Sequence, residues 1–296
     1  MLYILLNILT NAGVVMLLRE TGRRDFGLLP VIAVNYWVCT FLGAALTPGL
    51  WATLNAAPEA GLMLGFGLGV LFISVFTVIG MGADKMGVGY TGMIAKVSVI
   101  IPVAVAYFYL NETISVRQWI GLSLVPPAIV LLHVDYFSGK SKSSVSTATA
   151  LFIGSVIFFG SGASDTAFKY FQVRYEEHLP IAAFLFLIFC TAGVCGGAIL
   201  GSKLATGRTD LPPMRRMGLT RPAVFTGVIL GVVNFSSIYT LLKSLDAFEA
   251  AVAFPLMNVG LLVVLTGVGA ALYGEKRSVY AWAGVAAAIA AIALLV

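Results

Sequence analysis

Long apolar runs alternate with short clusters of charged and turn-forming residues along the whole chain. A helix needs about 20 apolar residues to cross the hydrocarbon core of a bilayer. Runs of that order lie at about 2–18, 29–47, 60–82, 89–110, 117–134, 148–168, 180–201, 222–243, 247–273 and 278–296. Between them stand RETGRRDFG, TPGLWATLNAAPE, ADKMGVG, LNETISVR, DYFSGKSKSS, QVRYEEHLP and SKLATGRTDLPPMRRMGLTR, all rich in charge or turn chemistry. Most of these breaks are short, which predicts that consecutive helices are antiparallel neighbours. No stretch has room for a water-soluble domain. The pattern predicts an all-α polytopic membrane protein with ten transmembrane helices.

Composition agrees. Hydrophobic residues make up 59% of the chain and charged residues 10%, against roughly 45–50% and 25% in soluble domains. So few polar side chains cannot cover a water-facing surface of this size. The opening MLYILLNILTNAGVVMLLRE has no basic segment before its apolar run and no small-residue cleavage site after it. It is expected to be the first membrane helix, not a removed signal peptide. The net charge of +5 requires no nucleic-acid partner, because Lys and Arg concentrate in cytoplasmic loops of membrane proteins. Cys39, Cys190 and Cys195 lie in apolar runs without metal-ligand spacing and read as small helix-packing residues. No metal and no cofactor is expected.

The chain repeats itself. NETISVRQWIG (111–121) follows the fourth run and GEKRSVYAWAG (274–284) follows the ninth. Glu112 matches Glu275, Ser115 matches Ser278, Val116 matches Val279, Trp119 matches Trp282 and Gly121 matches Gly284, all at one offset. At an offset one residue shorter, Gly65 and Gly69 match Gly227 and Gly231, and Asp84 matches Asp246. The repeats are residues 1–135 and 148–296. Five runs per half is an odd number, so homologous halves enter the membrane in opposite directions. This predicts two inverted five-helix repeats, an architecture of many secondary transporters, whose substrate site lies near the midplane between the halves.

The paired helix ends AYFYLNETISVRQWIGLSLV and GAALYGEKRSVYAWAGVAAA, together with LDAFEAAVAFPLMNVG, resemble the drug/metabolite transporter superfamily and its EamA-like branch. The likeness covers essentially the whole chain. It implies ten helices in two inverted repeats, a central pocket lined largely by the third, fourth, eighth and ninth helices, and transport of small metabolites or drugs. It implies no one substrate. The expected location is a bacterial inner (plasma) membrane, as monomer or homodimer. Most relatives of that kind keep both termini in the cytoplasm, whereas the Lys and Arg count points the other way. The loops after runs 1, 3, 5, 7 and 9 hold thirteen basic residues and the other loops four, which favours both termini outside.

Few polar residues sit at membrane depth. Lys96, in GMIAKVSVIIP, lies about seven residues into the fourth run, roughly 10 Å along a helix. A lysine at a helix centre costs about 2.5–3.5 kcal/mol on insertion scales, so it either snorkels to the interface or serves a site. Aligning Lys96-Val97-Ser98 with Asn258-Val259-Gly260 sets Lys96 opposite Asn258. Pro102 and Pro255 are expected to kink their helices, Pro102 by freeing the carbonyl of Ser98. A lone ammonium in such a cavity favours an anionic group. Asp165 and Lys169, four apart, are expected to pair on one helix face; the alternative is that Asp165 binds and releases a coupling proton or cation. Asn11, Asn234, Ser237 and Tyr239 complete the candidate substrate-binding set with Lys96 and Asn258. Glu112 and Glu275 are matched turn residues, expected to cap helices, with alternating gates as the other reading.

The leading expectation is therefore a secondary transporter working by alternating access on a small anionic or zwitterionic metabolite, such as an amino acid or organic acid. A proton or sodium ion is the candidate coupling partner. No GxxxxGK[ST] motif is present, so direct drive by ATP is not expected. No Ser-His, paired-Asp or HExxH dyad is present, so an enzyme is not expected. The rival is a membrane-embedded scaffold or assembly factor without transport activity.

Overall fold

The computed structural model describes residues 1–24, 28–134, 146–205, 220–274 and 278–296. Among them the chain is all-helical: α1 (Leu2–Arg23), α2 (Leu28–Ala45), α3 (Leu50–Ala56), α4 (Glu59–Met86), α5 (Val88–Val97), α6 (Ile100–Phe108), α7 (Val116–Leu132), α8 (Thr147–Arg174), α9 (Ile181–Ala205), α10 (Arg221–Ala247), α11 (Ala250–Tyr273) and α12 (Val279–Leu295). Among the described residues seven spans are long and apolar enough to cross a membrane, with α5 and α6 counted as one run over Tyr90–Phe108. The pair Pro30–Ala45 and Leu50–Ala56, bent by 83°, makes an eighth. α7 and α12 are apolar but only 17 residues each. Large apolar side chains face outward along these helices, among them Phe41, Phe108, Phe152 and Phe225. A water-soluble surface does not carry that much exposed apolar area, and the chain is a membrane protein.

Two elements differ from the sequence pattern. The segment TPGLWATLNAAPE, expected as a plain connection, contains the short helix α3, entered through Gly49 in the left-handed conformation. The fourth run is divided at Ser98–Val99. Pro102 has no N–H for the Ser98 carbonyl, which instead accepts from the Ile101 N–H at 2.9 Å, one residue nearer than the α-helical partner. Pro255, by contrast, lies inside the unbroken helix α11. Pro126 and Pro127 likewise lie inside the continuous helix α7.

Two repeat-matched positions share a left-handed backbone φ. Asn111 has φ 56° and Gly274 has φ 62°, the left-handed position at which many helices end. Ser115 and Ser278 then adopt nearly identical extended angles and cap α7 and α12, their hydroxyls accepting from the N–H of Gln118 at 3.3 Å and of Ala281 at 3.2 Å. In α7 the Gln118 side chain returns a bond to the Ser115 N–H, completing a capping box.

The chain forms two compact units, each drawing on both sequence halves: residues 1–8, 74–169 and 243–296, and residues 9–73 and 170–242. In the first, α7 and α12 pair tightly and antiparallel. A Cβ on Gly121 would meet Leu294 and Leu295 at 3.1 Å, and one on Gly284 would meet the Leu132 backbone at 2.8 Å. Each glycine, near the start of its helix, packs on the end of the other. In the second unit, α4 lies on α9 through Gly65 and Gly69, and α10 lies on α2 through Gly227 and Gly231. The matched glycine pairs therefore serve close helix approach. Cys39 packs in the same place, its thiol donating to the Gly231 carbonyl at 3.2 Å.

Candidate functional site

Lys96 occupies the last turn of α5, immediately before the break at Ser98–Val99. Its ammonium donates to Asn258 Oδ1 of α11 at 2.9 Å. A charged donor makes this bond stronger than a neutral one, and it ties the end of α5 to α11. Asn258 is buried, and its amide N–H groups have no acceptor among the described residues. The break adds backbone polarity nearby: Ser98 is fully buried and its hydroxyl donates to the Ala95 carbonyl at 2.7 Å.

Asp165 is the third member. α8 runs alongside α5 and α6, with Gly154 against Ile94 and Gly162 against Ile101. That packing sets Asp165 beside the helix pair that carries Lys96. The two opposite charges act on each other electrostatically without touching: Asp165 has no ion pair or hydrogen bond among the described residues. Lys96, Asp165 and Asn258 thus bring an ammonium, a carboxylate and a carboxamide into one region of the first unit.

The expected pairing of Asp165 with Lys169 does not form. Lys169 is buried, and its ammonium lies 3.1 Å from Glu112 Oε1 instead. Glu112 is placed by the left-handed Asn111 and by its own N–H, which bonds to the Ala106 carbonyl at 3.0 Å. Its carboxylate also caps α11, accepting from the N–H of Ala250 at 3.0 Å and of Ala251 at 3.1 Å. Glu112 is therefore a helix cap, but of another helix 138 residues away. Lys169 is a residue that helical spacing alone assigned to the wrong partner; its position beside Phe168, in an apolar stretch, was the available signal. Glu275 lies outside the described residues.

The remaining candidates belong to the second unit. Asn234 donates to Asn35 Oδ1 at 3.2 Å, a bond between α10 and α2. Tyr239 stacks on Phe235 with ring centroids 6.2 Å apart. Ser237 is buried, and its carbonyl accepts from the Thr240 hydroxyl at 3.0 Å. Asn11 is half-buried on α1. These groups include interhelical polar bonds of the kind that hold membrane helices together.

A cavity of about 270 Å³ lies between α6 and α7, beside Val99, Val103, Tyr107, Trp119, Pro126 and Pro255. Its lining is almost wholly apolar and includes the exposed Phe108. Lys96 does not line it. Such an apolar lining offers no partner to a charged group. The described residues hold no group of three His, Cys, Asp or Glu side chains able to bind a metal ion.

No protein-family model matches the chain. An uncharacterized protein of Haemophilus influenzae is 27% identical over 291 residues, spanning 96% of this chain and 94% of that protein. A crystal structure of a protein 12% identical to the chain superposes with a TM-score of 0.73, covering 99% of this chain and 94% of the other. At that identity the likeness bears on the fold alone.

Proposed function

We propose that the chain is a secondary transporter of a small anionic or zwitterionic metabolite, built as two inverted five-helix repeats and working by alternating access. The observation that carries this reading is the Lys96–Asn258 bond at 2.9 Å, with Asp165 beside it and in no ion pair among the described residues. Charges within membrane spans are expensive and mark pathways for ions or substrates. A scaffold has no need for an ammonium and a carboxylate held near each other and left unjoined.

The repeat reading has geometric support. Counting the bent α2–α3 pair, the divided α5–α6 run and the two short helices α7 and α12 with the other long helices gives ten spans. Sequence-matched helices α7 and α12 run antiparallel, as inverted copies must. Lys96 and Asn258 are matched positions, and an axis in the membrane plane brings matched positions near the midplane together. The resemblance to the EamA-like branch of the drug/metabolite transporters points the same way. On this reading Asp165 binds a coupling proton or sodium ion.

The test is uptake of labelled metabolites into proteoliposomes, with candidates first chosen by thermal shift among compounds with and without carboxylates. Lys96→Ala is expected to abolish or reshape uptake while leaving expression intact. Uptake identical to wild type would reduce Lys96 to a structural residue, and no uptake of any candidate by the wild type would favour the scaffold.

A further inference from the structure

We infer that the buried Glu112–Lys169 ion pair is a latch that ties together, at one end, the three helical arms of the Lys96–Asp165–Asn258 cluster, and that it opens and closes with that end of the pathway. The inference rests on the transporter reading above but concerns different residues.

One carboxylate reaches all three arms. Glu112 follows α6, the continuation of the helix that carries Lys96. Its two oxygens hold the first N–H groups of α11, whose Asn258 lies eight residues further on, about 12 Å along the axis. Its Oε1 also holds Lys169 of α8, one turn after Asp165. Both side chains of the pair are 9% exposed, so little of either charge is open to its surroundings. Glu112 and Lys169 are therefore positioning residues: moving either shifts helices that present the cluster.

An ion pair suits a contact that must alternate. When closed, the attraction offsets the loss of hydration; when water enters, each charge regains its hydration, so the two states lie close in free energy. An apolar clamp would strongly favour the dry state. The α11 cap makes the latch directional, because the carboxylate neutralises the positive end of that helix only while it stays in place.

The experiment uses the full-length purified protein in detergent, with Cys39, Cys190 and Cys195 replaced by Ala and Ala251 replaced by Cys. Ala251 is buried and lies seven residues, two turns, from Asn258 on the same helix face. The rate of labelling of the new thiol by a charged maleimide is measured alongside uptake and melting temperature. Lys169→Met is expected to raise the labelling rate at least fivefold, and Lys169→Arg to restore the slow rate. Glu112→Gln, which keeps an oxygen for the helix cap and removes the charge, is expected to raise labelling as well if Lys169→Met fails to fold. Uptake should show a larger change in KM than in kcat for whichever variant folds. A lower melting temperature with unchanged labelling in both variants would make the pair a permanent structural tie and overturn the latch. Absence of uptake by the unmodified protein would overturn the transporter reading instead, so the two failures are told apart.

Discussion

At the residue scale, two lysines in apolar helices have opposite histories. Lys96 was legible. The repeat aligned it with Asn258, and the two are bonded. Lys169 was not legible, because the i, i+4 rule offered Asp165 as a local partner while the actual one, Glu112, arrives through a left-handed turn after α6. Local spacing has no access to such a contact. The Lys96–Asn258 bond carries a quantitative expectation: a hydrogen bond to a charged group contributes about 1.5–3 kcal/mol. Asn258→Leu leaves the ammonium without that partner and is therefore expected to destabilise the protein by about that amount, read as a lower melting temperature in detergent; an unchanged melting temperature would show that the bond contributes nothing. Asp165→Asn is expected to flatten the pH dependence of flux. A profile that superimposes on wild type would remove Asp165 from coupling.

At the element scale, the helix ends and the close approaches carry the fold. The matched residues Ser115 and Ser278 both cap their helices with nearly identical backbone angles. The break at Ser98–Val99 follows from Pro102, whereas Pro255, six residues into α11, leaves its helix unbroken. A proline's effect depends on its place in the helix, which hydrophobic pattern alone does not fix. Glycines separate into two kinds. Gly284→Ala sets a Cβ 2.8 Å from the Leu132 backbone nitrogen, an overpacking expected to cost about 1–3 kcal/mol. Gly267→Ala on α11 meets nothing within 4 Å and is expected to be neutral or to stabilise by roughly 0.5–1 kcal/mol through helix propensity. Melting of the two variants in detergent checks the contrast: equal shifts would show that the α7–α12 pair is looser than described.

At the scale of the whole molecule, the membrane class was plain from composition and run length, while the compact units were not. The expected repeats meet near residues 135–148, and each compact unit gathers segments from both sides of that position. Packing is indifferent to chain order. Topology has its own test. A cysteine at position 142 is expected to react with impermeant reagents only from the cytoplasmic side, in keeping with the distribution of Lys and Arg; labelling from outside would reverse the orientation. The α7–α12 pair has a further consequence, in time. About 160 residues separate Val116 from Val279, so at about 5–20 residues per second a ribosome makes α7 roughly 10–30 s before its partner. During that interval the face of α7 at Gly121 lacks Leu294 and Leu295, which pack on it in the finished molecule.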